Sequence, residues 1–118
     1  MKSALEKHSD LEISPGTSDV AHPLAGSEVE ASGFLKAMAH DGRLLILCLL
    51  CEYPRTVGEL EAAMPFRQAA VSQQLARLRL EDMVIAERQG KHLRYRISDP
   101  RVSRLVETLD EIFSGPVG

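Results

Sequence analysis

Two short helical segments split by a tight break, two alternating strands around a glycine turn, and a capped amphipathic helix after them predict the fold class. It is mainly α with a β-hairpin wing, a winged helix-turn-helix in the order α-α-α-α-β-β-α. The chain of 118 residues has room for one such domain and little else. Its 44% hydrophobic and 26% charged content fits a soluble globular chain, and no apolar run approaches the ~18 residues of a membrane span.

Residues 1–26 mix Ser, Pro, Gly, His and acids without periodicity, and "SPGTSDVAHPLAG" reads as a flexible arm. The domain is expected over 27–114, with 115–118 as a tail. A first helix is expected from Ser27 to about His40, with Val29, Phe34, Leu35 and Met38 on its apolar side. Asp41 is placed to cap a second helix running to about Glu52, with Leu44, Leu47, Cys48 and Cys51 on one stripe. Tyr53-Pro54 stops it.

Thr56 followed by Glu59 is a capping box, so a short third helix should start there and bury Val57, Leu60 and Met64. "PF" breaks the chain, and a fourth helix follows to about Leu80 with Val71, Leu75 and Leu78 inward. "MVIAER" and "HLRYRI" are alternating runs joined by "QGK". In the second, Leu93, Tyr95 and Ile97 face inward and His92, Arg94 and Arg96 outward. Asp99-Pro100 carries the cap-then-proline signature of a last helix, whose stripe is Val102, Leu105, Val106, Leu109, Ile112 and Phe113, ending at "SGP".

The fourth helix carries the functional signal. In "AAVSQQLARL", residues 69–78, the outward face shows Ser72, Gln73 and Arg77 with Ala69 and Ala76 between them, and no acid. A glutamine amide offers a donor and an acceptor together, matching the pair adenine presents in the major groove, worth roughly 1–3 kcal/mol of discrimination when bidentate. A Glu there would repel phosphates. Gln68, Ser72 and Gln73 are therefore the candidate base contacts. Arg67, Arg77, Arg88, Lys91, His92 and Arg94 are the candidate phosphate and wing contacts.

Charge agrees: nine Lys/Arg stand against four Asp/Glu between Arg67 and Arg104, although the whole chain is at −3. The local field governs binding to a duplex. The competing reading is that Arg and Gln only solubilise a surface helix.

Other classes fit less well. Two Tyr, three Phe and no Trp leave few platforms for stacking single-stranded bases. There is no Ser/His/Asp order, glycine phosphate loop or carboxylate cluster, so neither an enzyme nor a cofactor is expected. The histidines, His8, His22, His40 and His92, are scattered. "MKSALEKHSDLE" lacks the apolar core of a signal peptide, so a cytoplasmic location is expected.

"DGRLLIL", "VGEL", "AVSQQL" and "RQGKHLRYRI" fall in order in four successive elements, and over about residues 32–114 the chain resembles the arsenic-repressor (ArsR/SmtB) family of bacterial transcriptional repressors. The resemblance implies a homodimer through the first and last helices, an inverted-repeat DNA operator and an inducer that weakens DNA binding. Some positions depart from the family pattern. Arg67 stands where the fourth helix commonly begins with Ser or Thr, and Asp82 where Gly usually follows that helix. The thiolates of metal-sensing members are replaced by Thr56 and Gly58. Of the zinc sensors' last-helix set only Asp99 is present, the other places reading Arg101, Ile112 and Gly115. No metal site of the family type is expected.

"LLILCLL", with Cys48, is similar to the sulfide- and persulfide-responsive branch (BigR, SqrR and HlyU type), in which a second cysteine near the end of the last helix is implied. That place falls at Ser114, through loss of the dithiol chemistry or an introduced Cys→Ser replacement. Cys51 lies one turn from Cys48 on the same face, and a disulfide between them would strain a regular helix unless its end frays near Pro54. Three readings stand for the pair: small core hydrophobes, a thiol sensor, or a metal site. A reactive thiol needs exposure and a lowered pKa, for which Arg43 is the nearest candidate charge.

The resulting expectation is a homodimeric regulator, a repressor of an inverted-repeat operator relieved by a reactive sulfur species or oxidant at Cys48. The alternatives are a protein-interaction module, a DNA-binding regulator without inducer sensing, and, least favoured, a metal-responsive repressor.

Overall fold

The computed structural model describes residues 22–64 and 70–115. In chain order it contains α1 (Glu28–Met38), α2 (Asp41–Glu52), β1 (Arg55–Thr56), α3 (Val57–Ala63), α4 (Val71–Leu80), β2 (Val84–Gln89), β3 (His92–Ile97) and α5 (Pro100–Ser114). The described residues up to Ser32 form one unit and those from Gly33 onward another. In the first, a turn leads into α1, with the Gly26 N–H donating to Glu28 Oε1 at 2.8 Å.

The winged helix-turn-helix is the fold of the second unit. α2 runs through its centre, burying Ile46, Leu47 and Leu50. Leu60 from α3 and Met64 at its C-cap, Val71, Leu75 and Leu78 from α4, Val84 from β2, Tyr95 from β3 and Val102 from α5 close around it. Each such side chain contributes roughly 1.5–3 kcal/mol on leaving water, so the inward positions of α4 anchor a helix whose outward face is free of structural duty.

Sequence rules set the boundaries. The capping box of α3 forms: Glu59 N–H donates to Thr56 Oγ1 at 3.1 Å, and Thr56 N–H donates to Glu59 Oε1 at 2.9 Å. Asp99 caps α5, accepting from the Arg101 N–H at 2.9 Å with Pro100 in the first turn. α4 ends in a Schellman motif, Met83 N–H to Leu78 O at 3.0 Å and Asp82 N–H to Arg79 O at 2.9 Å. Asp82 takes the left-handed position of that motif at φ 61°. Gly90 opens the two-residue hairpin loop at φ 63°, the positive φ that a II′ turn asks of its first position.

Several expectations need correction. The cap of α2 is His40, whose Nδ1 accepts from the Gly42 N–H at 3.1 Å, and Asp41 is instead the first helical residue. The hairpin belongs to a three-stranded antiparallel sheet, β1-β3-β2, because Arg55 and Thr56 pair with Tyr95 and Arg94. A two-residue strand is too short to leave a periodic signal. Leu93 is 39% exposed, since it lies near the hairpin tip beyond the reach of the core. On α1 only the last turn, Ala37 and Met38, is buried; Val29 and Leu35 are exposed. On α5 burial fades along the helix, from Val102 at 0% exposed to Ile112 at 63% and Phe113 at 81%. An apolar stripe specifies a face that avoids water but not which partner covers it.

Candidate nucleic-acid interface and thiol cleft

α4 presents two faces with different duties. Val71, Leu75 and Leu78 are buried, and Ser72, Gln73, Ala76, Arg77 and Arg79 are exposed. The outward face carries no carboxylate before the cap residue Glu81. Arg77 is drawn to that end, its Nε donating to Glu81 Oε2 at 3.1 Å. Ser72 and Gln73 lie in the first turn, which has no side-chain cap at Ala70. The positive end of the helix dipole there suits an approaching phosphate. Arg67, Gln68 and Ala69 lie outside the described residues.

The wing supplies basic side chains. Arg88, Lys91 and His92 are exposed about the hairpin tip and make no ion pair among the described residues. Arg94 is differently placed. Its guanidinium donates to Gln89 Oε1 at 2.9 Å and to Pro54 O and Glu59 Oε1, each at 3.2 Å. It therefore ties β3 to the start of α3. Glu59, which also accepts from the Thr56 backbone, is held below the ordinary carboxylate range, first by that backbone bond and then by Arg94. Arg96 is likewise occupied, its Nη2 lying 3.0 Å from Glu87 Oε2. Arg79 and the Glu59 link escaped sequence reasoning. Arg79 continues the basic side of α4 past Arg77, and the link spans 35 residues and has no local pattern.

A second site lies between α2 and α5. A cleft of about 540 Å³ is lined by Leu44, Cys48, Cys51, Val106, Leu109 and Phe113, with Glu52, Ser103, Glu107, Asp110 and Ser114 completing it. The helical spacing of the two cysteines thus puts both on the wall of a cleft that Ser114, the place of the expected second cysteine, also lines. Both thiols are free and half-buried. Burial pushes the Cys48 thiol up, and Cys51, Asp110 and Glu52 add to it by charge. Burial also raises Cys51, against a weaker opposing effect from Ser103, whose Oγ lies 3.8 Å from its Sγ. No cation lowers either one. Arg43, the expected activating charge, keeps its Nε buried without a hydrogen-bond partner.

Ser114 donates to Asp110 Oδ1 at 2.9 Å. Near the start of α5, Arg101 chelates Asp99, with Nη2 2.8 Å from Oδ2, and lies 4.8 Å over the Phe34 ring. No group of three or more His, Cys, Asp or Glu among the described residues is arranged to hold a metal ion. No described helix is long and apolar enough to cross a membrane.

Comparison with known proteins agrees with this geometry. The family described as "Bacterial regulatory protein, arsR family" matches residues 40–86. The biofilm growth-associated repressor of Agrobacterium fabrum is 40% identical over 87 residues, covering 74% of each chain. The crystal structure of the transcriptional repressor BigR from Xylella fastidiosa superposes with a TM-score of 0.72 at 34% identity, over 76% of this chain and 92% of that one. A homodimeric winged helix-turn-helix DNA-binding domain from Mycobacterium bovis, solved in solution, gives 0.63 at 26% identity, over 82% and 91%.

Proposed function

The chain belongs to the arsR family of bacterial regulatory proteins and is a DNA-binding transcriptional regulator rather than an enzyme; from that premise we propose that it represses transcription as a homodimer on an inverted-repeat operator. The observation that carries this reading is the acid-free outward face of α4, Ser72, Gln73 and Ala76, together with the exposed wing side chains Arg88, Lys91 and His92. In it, α4 enters the major groove, Gln68, Ser72 and Gln73 meet base edges, and Arg67, Arg77 and the wing meet phosphates. Arg94 acts one step back, holding the wing strand to α3. A two-fold partner sets the two α4 helices about one helical turn of DNA apart, ~34 Å. The dimer forms through α1 and α5, consistent with the exposed Leu35, Ile112 and Phe113 and with the homodimeric relative.

The test is selection of bound genomic fragments followed by titration over a range of salt. A single palindromic motif is expected, with affinity falling steeply as salt rises, by a slope of about −0.9 per phosphate neutralised. Lys91→Ala should reduce that slope by about one and weaken all sites alike, whereas Gln73→Ala should relax preference at one base pair. Salt-insensitive capture of protein and no DNA motif would identify an interaction module instead.

Release from the operator is assigned to Cys48. Its place in the cleft between the core helix α2 and the dimer-side helix α5 supports this, because a group added to its sulfur changes what those two helices meet across the cleft. A coupling of ~1–3 kcal/mol is enough to loosen the operator about 5- to 150-fold. A persulfide donor should weaken operator binding of the parent chain and leave Cys48→Ser unaffected. An equal response in both would remove Cys48 from the account.

A further inference from the structure

The cleft between α2 and α5 has a charge character that thiol chemistry does not use. Its walls, Leu44, Val106 and Leu109 with Phe113, are apolar, and its volume of about 540 Å³ lies inside the ~300–1,000 Å³ range of small-molecule sites. Every ionisable side chain lining it is an acid or a thiol; no Lys, Arg or His is among them. Glu52 is neutralised by its ion pair with Arg55, and Asp110 accepts from the Ser114 hydroxyl. Glu107 makes no ion pair among the described residues, so two carboxylates without a cation stand one turn apart on α5, beside an apolar hollow.

We propose that this cleft binds an amphipathic organic cation, its apolar body between Leu44 and Leu109 and its quaternary or protonated nitrogen facing Glu107 and Asp110. The complementarity is of two kinds at once. The hollow rewards an apolar body, and the carboxylates favour a positive charge while repelling a negative one. The half-buried thiols at the same wall are uncharged at neutral pH, since burial and the neighbouring acids hold them above the ordinary thiol range. They serve as soft, polarizable wall. The site needs no covalent step; it shares Cys48 and Phe113 with the proposed release step and dimer face, and its test reads ligand binding rather than operator affinity.

Tetraphenylphosphonium and tetraphenylborate are near-isosteric ions of opposite sign, and equilibrium dialysis of the full chain against each tests the inference. The phosphonium should saturate one site per chain and bind at least about tenfold more tightly than the borate, as two unit charges at contact distance imply. The phosphonium should also slow maleimide alkylation of Cys48 and Cys51, a reading that needs no substitution. In a Glu107→Gln, Asp110→Asn chain with unchanged circular dichroism the preference for the cation should vanish. Equal affinity for the two ions, no saturable phosphonium binding, or unprotected thiols would each overturn the site.

Discussion

Asp82 occupies a left-handed backbone position, φ 61°, where only a residue without a Cβ is free of strain. The Schellman hydrogen bonds of α4 and the burial of Leu78 and Met83 hold it there. Asp82→Gly should therefore stabilise the fold by about 0.5–1 kcal/mol, read as a rise in thermal midpoint, without altering DNA affinity. A fall in midpoint would mean that the Asp side chain makes up for its strained backbone. The thiols give a second test at this scale. With burial and acidic neighbours raising both, the alkylation rate of Cys48 and Cys51 should lag that of a free thiol at neutral pH and keep climbing above the ordinary thiol pKa. A rate plateau near neutrality would show a cation at the site that the fold does not place there.

At the scale of elements, caps and one long-range link decide how the reading head is held. The Arg101 guanidinium and backbone N–H hold Asp99 below the ordinary carboxylate range, chiefly through the side-chain bond. A depressed carboxylate stabilises fully above its unfolded pKa, ~3.9, and loses that contribution as pH falls through the lower folded value. Asp99→Asn keeps a capping oxygen but not the charge, so it should lower stability at neutral pH, change it little at pH values below the folded pKa, and so flatten the acid limb of a stability-against-pH curve. The Glu59–Arg94 link joins the cap of α3 to the wing. Arg94→Ala and Glu59→Gln should each weaken operator binding, the double substitution no more than either alone. If Arg94 instead touched phosphate, its loss would lower the salt slope by about one and Glu59→Gln would leave binding intact.

At the scale of the molecule, Leu35, Ile112 and Phe113 are left exposed, and the proposed two-fold dimer would cover them while matching the symmetry of the proposed inverted-repeat operator. Ile112→Asp should shift the chain to monomers in sedimentation at micromolar concentration and cost most of the operator affinity, with helical content unchanged. A dimer that survives the change would place the interface elsewhere.

The element order, the inward residues of α4, the capping box at Thr56, the cap at Asp99 and the turn at Gly90 could all be read from the residues in line, because each follows from local spacing along the chain. The acid-free face of α4 was legible for the same reason: one helical period puts its residues side by side. It took packing in three dimensions to make β1 extend the wing sheet, to spend Arg94 on Glu59, and to run the stripes of α1 and α5 out of the core. Those outcomes join residues distant in the chain, and periodicity carries no information about which neighbour a face or a charge will meet. The cleft holding Cys48, Cys51 and Ser114 stands between the two cases. Spacing put the two thiols on one side of α2, and packing alone chose which part of α5 lies across from them.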